Sequence, residues 1–218
     1  MNKYASIIFL SIILCLINGV FAKDDGKKLL SKVVYIDPGH GGTDCGAYYK
    51  NVKESDVNLA ISIKLMNALK KEGATVYLTR YGDYDLSTPG AWNRKRSDLS
   101  RRANIINKSN CDLYLSIHLN ADDSGSFHGA EVYYDTINPE NEKIASIFQE
   151  EFNKYLSSNR DYKENNTKYL QRRVNRPGVL LEVGFLSNPS DRSLLTSEVY
   201  QNKLVNVIKG GIYKYFET

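Results

Sequence analysis

Three short runs of nearly unbroken apolar character constrain this chain most: residues 32–36 (Lys-Val-Val-Tyr-Ile), 112–117 and 179–183. Each is too short for a buried helix, and each is rich in β-branched or aromatic residues and ends in glycine or polar residues. A strand that is apolar on both faces must be covered on both faces, which is the condition of an interior strand in a parallel sheet. The segments between them carry a different period. In residues 56–71, Val57, Ala60, Ile61, Leu65, Ala68 and Leu69 fall on one helical face, and Glu72-Gly73 ends the pattern. Residues 99–107, 143–156 and 198–216 also read as helices, and 75–79 and 131–134 as further strands. Strands alternating with helices predict an α/β fold: one domain with a mostly parallel central sheet and helices on both faces. No internal repeat interrupts it. The polar stretches 81–98 and 157–177 read as long loops, which in compact domains often carry function.

The chain has 218 residues, 42% of them hydrophobic, enough for one sizeable core. Lys and Arg number 29 against 25 Asp and Glu, a net charge of +4, which gives no reason to expect a nucleic-acid partner. At the N-terminus, Lys3 precedes an apolar run over 5–17, followed by Asn18-Gly19 and Val20-Phe21-Ala22. This is the layout of a secretory signal. The expectation is a signal peptide over 1–22, cleaved after Ala22, then a linker over 23–31 and one catalytic domain over 32–218. An uncleaved anchor is the second choice, because a spanning helix needs about 20 apolar residues. A lipid anchor on Cys15 is set aside, because Leu14 stands where a small residue is needed. Cys45 and Cys111 are expected to stay unpaired, Cys111 as a small buried residue at the entrance of a strand.

Chemistry concentrates where strands end. The first runs into Asp37-Pro38-Gly39-His40-Gly41-Gly42, placing His40 at the carboxyl edge of the sheet, where α/β proteins gather ligands. An incidental histidine in a glycine-rich turn is the competing explanation. Glu54 precedes the first helix, where an acid also complements the helix dipole. His118 emerges from another strand end, in Ser116-Ile117-His118-Leu119-Asn120. Two histidines and a carboxylate form the three-ligand set of a catalytic zinc site, with the fourth position open. His128 reads as a surface or substrate-side residue, and Cys45 is not needed as a ligand. Glu182 interrupts the most apolar strand of the mature chain, and a buried carboxylate needs a partner or a task. An ion pair with an arginine and a proton-transfer role are both open on the residues alone.

The ordered motifs resemble those of the zinc-dependent N-acetylmuramoyl-L-alanine amidases. The resemblance runs from Val33 to Phe216 through Ile36–Gly42, Glu54 with Asn58-Leu59-Ala60, Thr79-Arg80, Leu99, Arg102 and Asn107. It continues through Ser116–Ala121, Gly129–Tyr134 and Leu181–Pro189. It implies that His40, Glu54 and His118 hold one Zn²⁺ and that Glu182 is the catalytic glutamate. The chain departs from some division amidases in carrying no evident inhibitory helical insert over 136–176.

The resemblance implies a hydrolase that cuts the amide between N-acetylmuramic acid and the L-alanine of the peptidoglycan stem peptide. A single short domain with a signal and no wall-targeting repeats is closest in layout to the spore-cortex amidases. In that group, peptide removal prepares muramic acid for δ-lactam formation. The expected location is outside the cytoplasmic membrane, in the cell wall or in the forespore intermembrane space and cortex. Peptidoglycan is the expected partner, with an exported activator as a further one. A vegetative autolysin, a zinc carboxypeptidase acting on the stem peptide and a wall-binding protein without turnover are the rival readings. Tyr48 and Tyr49 are candidate stacking surfaces for sugar rings.

Overall fold

The structure is a computed structural model that describes residues 27–218. The expected signal peptide and the first residues of the linker lie outside the described residues. The strands are β1 (Val33–Pro38), β2 (Tyr48–Tyr49), β3 (Val52–Lys53), β4 (Thr75–Leu78), β5 (Leu113–Asn120), β6 (Glu131–Tyr134), β7 (Lys163–Glu164) and β8 (Gly178–Phe185). The helices are α1 (Glu54–Lys71), α2 (Arg94–Lys108), α3 (Asn141–Leu156), α4 (Pro189–Leu195) and α5 (Glu198–Glu217). The main sheet runs β4-β1-β5-β8-β6-β7. Its β4, β1, β5 and β8 are parallel, whereas β6 runs antiparallel to β8 and pairs in parallel with β7. The mostly parallel α/β architecture expected from the alternation is present, with helices on both faces.

The two faces are covered unequally, and this positions the site. Because side chains alternate along a strand, Val34 and Ile36, Leu113, Leu115 and Ile117, and Val179, Leu181 and Val183 share one face. They join the large core with Val57, Ile61, Leu65 and Leu69 of α1, Ile144, Phe148 and Phe152 of α3, and Leu204, Ile208 and Ile212 of α5. On the other face a smaller core holds Tyr35 and Tyr114 against Ala103 and Ile106 of α2, with Leu170 and Val174 from the segment between β7 and β8. That cover sits over the amino-terminal half of the strands. Toward the carboxyl ends the same face presents Asp37, Ser116, His118 and Glu182 to a cleft of about 450 Å³.

Several boundaries differ from the sequence reading for local reasons. Helix α2 begins at Arg94 rather than at residue 99, because the Asn93 side chain caps it by accepting the Arg96 N–H at 2.9 Å. Its first turn is polar and leaves no apolar period to read. Strand β5 continues to Asn120, so His118 lies within the strand rather than beyond it. Helix α4, not anticipated, starts from an Asn188 cap followed by Pro189 at its first position. Residues 136–176 contain α3, β7 and a 3₁₀ turn at Gln171–Arg173. Helix α3 packs its apolar face into the large core and does not enter the cleft. Cys45 and Cys111 are both free, and no described helix is long and apolar enough to cross a membrane.

Beneath the cleft floor lies a fully buried ion pair. Asp37 accepts Arg102 Nη1 at 2.9 Å and Thr79 Oγ1 at 2.6 Å on one oxygen, and Ser116 Oγ at 2.8 Å on the other. Burial pushes the Asp37 carboxyl up, but Arg102 and the Thr79 hydroxyl outweigh it, so the group sits below its ordinary 3.8. A depressed folded pKa contributes stability that is complete above the ordinary value and is lost as pH falls through the lower, folded one. Asp37→Asn removes one of the two carboxylates paired with Arg102 and leaves Asp98 at 2.9 Å as the other. The substitution is expected to cost about 1–3 kcal/mol at neutral pH, the scale of a lost buried hydrogen-bond partner, and to flatten the loss of stability in acid. Urea unfolding of both proteins from pH 7 into the acid range checks this; an equally stable variant at pH 7 would contradict it.

Candidate metal centre and active cleft

His40 follows β1 in the left-handed backbone region, at φ 60°, a conformation that a residue with a Cβ holds only when its surroundings enforce it. Two buried arginines do so. Arg80 donates through Nε to Pro38 O at 3.0 Å and through Nη2 to Gly39 O and Ser55 O, each at 2.8 Å. Arg102 donates through Nη1 to Pro38 O at 2.8 Å and through Nη2 to His40 O at 2.7 Å. Three successive carbonyls of the turn are thereby held by two guanidinium groups. The tight turn closes with Gly41 N donating to Asp44 O at 2.7 Å. That closure puts Asp44 Oδ1 3.0 Å from His40 Nδ1 and leaves Nε2 facing inward.

Glu54 is the first residue of α1. Its Oε1 lies 3.2 Å from His40 Nε2 and 3.0 Å from His118 Nδ1, and also accepts the Leu119 N–H at 3.1 Å. Asn58, one turn on, donates to the same oxygen at 3.3 Å, and Ala47 N donates to Oε2 at 2.9 Å. Burial raises the Glu54 carboxyl, but bonds from His118 and His40 overcome it and hold the group well below the usual carboxylate range. His40 is raised: burial lowers it, and Glu54 and Asp44 together prevail.

His118 lies edge-on to His40, with ring centroids 4.9 Å apart, and close against Gly39. A Cβ on Gly39 would fall 2.3 Å from the His118 ring, and one on Gly46 would fall 2.4 Å from Glu54 Oε2. Both positions need glycine because the converging side chains occupy that space. One donor atom each from His40, Glu54 and His118 lies within 4.8 Å of the others, a grouping among the described residues that could hold a metal ion.

Glu182 stands directly beside His118 in the β5–β8 register and beside Glu131 in the β8–β6 register. The two glutamates are treated differently. Glu131 accepts from Arg160 Nε at 2.5 Å, Lys163 Nζ at 3.0 Å, Tyr133 Oη at 2.5 Å and Asn120 Nδ2 at 2.8 Å. Glu182, also buried, has Lys168 Nζ 3.9 Å from Oε1 and no hydrogen-bond partner for Oε2. The arginine pairing considered for Glu182 goes to Glu131 instead. Burial pushes the Glu182 carboxyl up; Glu54 and Glu131 add to this against His118 and Lys168, and the net shift is upward.

The cleft therefore joins His40, Glu54, His118 and Glu182. His128 is exposed and lines other depressions. Cys45 donates weakly to Gly46 O and lies outside the His40–Glu54–His118 group. Neither Tyr48 nor Tyr49 lines the cleft; Tyr169 does. Asp44, Glu131 and Lys168 carry no role in the sequence reading. The four-residue spacing of His40 and Asp44 and the isolated acid opening β6 were the available signals. Lys168 lies in a polar loop and left none.

A family model described as N-acetylmuramoyl-L-alanine amidase matches residues 34–214. The germination-specific N-acetylmuramoyl-L-alanine amidase of Bacillus subtilis is 41% identical over 214 residues, covering 94% of this chain and 90% of that protein. The CwlD amidase of Clostridioides difficile, solved in complex with the GerS lipoprotein, superposes with a TM-score of 0.81 at 36% identity, covering 85% of this chain and 98% of that one. An N-acetylmuramoyl-L-alanine amidase from Clostridium difficile 630 gives 0.77 at 34% identity, covering 86% and 97%. With a matched span running from β1 almost to the end of α5, the chain belongs to the N-acetylmuramoyl-L-alanine amidase family.

Proposed function

We propose that this amidase is exported, acts on the peptidoglycan of the spore cortex, holds one Zn²⁺ through His40, Glu54 and His118, and moves its proton on Glu182. The observation that carries the reading is the convergence of three donor atoms beside a buried carboxylate with an unpartnered oxygen. Two imidazole nitrogens and a carboxylate oxygen suit zinc, and three protein ligands leave a position for catalysis. The Asp44 carboxylate on His40 Nδ1 is the kind of outer partner that fixes a ligand's tautomer and ring orientation. When bound, zinc supplies a Lewis acid that polarises a carbonyl and acidifies water.

The remaining work falls to the chain. Glu182 takes a proton from the attacking water as its oxygen bonds to the lactyl carbonyl carbon. It then returns that proton to the alanine nitrogen as the C–N bond breaks. The products are a lactyl carboxylic acid and a peptide with a free amino terminus. Burial favours this role, because a carboxyl raised above its ordinary value of 4.5 is a stronger base and holds the proton between the two transfers. The open half-face of the sheet admits the substrate, and α2 with the 3₁₀ turn forms its wall.

The cortex assignment is supported by near end-to-end likeness to the germination-specific amidase of Bacillus subtilis. The GerS lipoprotein bound in the CwlD structure is the precedent for including an exported accessory protein in the proposal. A strain lacking this protein is expected to form spores whose cortex contains no muramic-δ-lactam. Normal lactam content by muropeptide analysis would move the enzyme to another wall.

Glu182→Gln tests the chemistry. The amide is nearly isosteric but cannot accept the proton, so turnover should fall by about 10²–10⁴-fold while zinc content stays near that of the parent. Thermal stability should hold or rise, because a desolvated carboxylate has been removed. Loss of zinc together with activity would make Glu182 a ligand, and loss of stability at an unchanged rate would make it a structural residue.

A further inference from the structure

Three cationic side chains line the cleft, and they differ in exposure and in what they face. Arg102 is spent on Asp37, Asp98 and the carbonyls of the His40 turn. Lys95 projects from the first turn of α2, 70% exposed, with Asp44 Oδ2 at 3.7 Å. Lys168 differs. Its side chain is 43% exposed, and its ammonium rests 5.8 Å from the centre of the Tyr133 ring and 3.9 Å from Glu182 Oε1. That separation is the outer limit of an ion pair, and no hydrogen bond joins Lys168 Nζ to any described residue. An ammonium offers three donors, so this one faces the cleft with its capacity unspent.

The backbone beneath it is fastened. Asn165 N donates to Tyr134 O at 2.7 Å on one side, and Arg172 N donates to Lys168 O at 3.2 Å on the other. Gln171 Nε2 reaches Tyr133 O at 3.1 Å, and the Tyr169 hydroxyl meets Ser100 Oγ at 2.9 Å and Arg96 Nε at 3.2 Å. Residues 165–172 are thus tied to β6 and to α2. The other basic groups nearby are committed: Arg160 and Lys163 both pair with Glu131. The cleft wall therefore holds a half-exposed cation next to Glu182, without a hydrogen bond to any described residue.

Resting on the amidase reading above, we propose that Lys168 is a specificity-determining residue that selects acidic stem peptides by binding a free carboxylate on the residue after the leaving alanine. The distances agree. A proton passed from Glu182 requires the alanine nitrogen within hydrogen-bond reach of its carboxyl. The Lys168 ammonium beside that carboxyl is then within the reach of one further residue of extended chain, about 3.3–3.6 Å per residue. A carboxylate there gains a charge-assisted bond and draws Lys168 away from Glu182.

The test uses the mature enzyme and two synthetic N-acetylmuramoyl peptides. They differ only in whether the second residue of the stem carries a free α-carboxylate or its carboxamide. The parent enzyme should prefer the acid by about tenfold in kcat/KM, equivalent to about 1.4 kcal/mol. Lys168→Met should bring the ratio of the two close to one, and Lys168→Arg should keep the preference. Equal losses on both substrates in Lys168→Met, with the ratio intact, would make Lys168 a structural or Glu182-pairing residue and overturn the inference. So would a parent enzyme that cleaves both substrates equally. A parent that releases alanine-led peptide from neither would overturn the amidase reading itself, and this inference with it.

Discussion

Two guanidinium groups buried under the carboxyl edge of the sheet determine whether this site exists. Arg80 and Arg102 are almost fully buried, and between them they bind the carbonyls of Pro38, Gly39 and His40. A turn that holds a histidine at positive φ does not keep that shape by itself. The arginines favour it, because its carbonyls are acceptors for their buried donors, and a buried cation without acceptors costs several kcal/mol, roughly. Asp37 and Asp98 supply the neutralising charge for Arg102, and Thr79 and Ser116 also donate to the Asp37 carboxylate. The network is closed, and His40 is a by-product of its closure.

From that turn the rest of the centre follows by contact. Gly39 leaves room for the His118 ring, and Gly46 leaves room for the Glu54 carboxylate. Asn58 ties Glu54 Oε1 to Gly39 O, so the first turn of α1 and the end of β1 move together. The uneven cover of the sheet does the complementary part. The face that carries α1, α3 and α5 supplies stability through the large core. The other face, covered by α2 over its amino-terminal half, leaves His118 and Glu182 accessible at the edge of a buried environment. Glu131 absorbs Arg160 and Lys163, which keeps those charges off Glu182 and preserves its raised proton affinity.

Much of the fold was legible because β1, β5 and β8 are covered on both faces and therefore read as apolar throughout. His40 and His118 stood out as polar residues at the carboxyl ends of such strands, and Glu182 as a charge inside one. What escaped was structure with no apolar signature. The β2–β3 hairpin has two residues per strand, the first turn of α2 is basic, and α4 owes its start to a cap rather than to a stripe. Asp44 and Lys168 are ordinary surface residues in sequence. A local turn brings Asp44 against His40, and only the tertiary fold brings Lys168 against Glu182. Arg80 and Arg102 appeared in the reading as motif positions without a task, since sequence cannot show that a guanidinium is buried.

In the proposed centre, the clamped turn, the first turn of α1 and β5 present two imidazoles and one carboxylate to a single zinc ion. X-ray absorption at the zinc edge of the metal-loaded mature protein tests it directly. The expected spectrum shows nitrogen and oxygen neighbours at about 2.0–2.2 Å, with the imidazole signature of two histidines and no sulfur. A sulfur neighbour at about 2.3 Å would bring Cys45 into the centre and contradict the assignment.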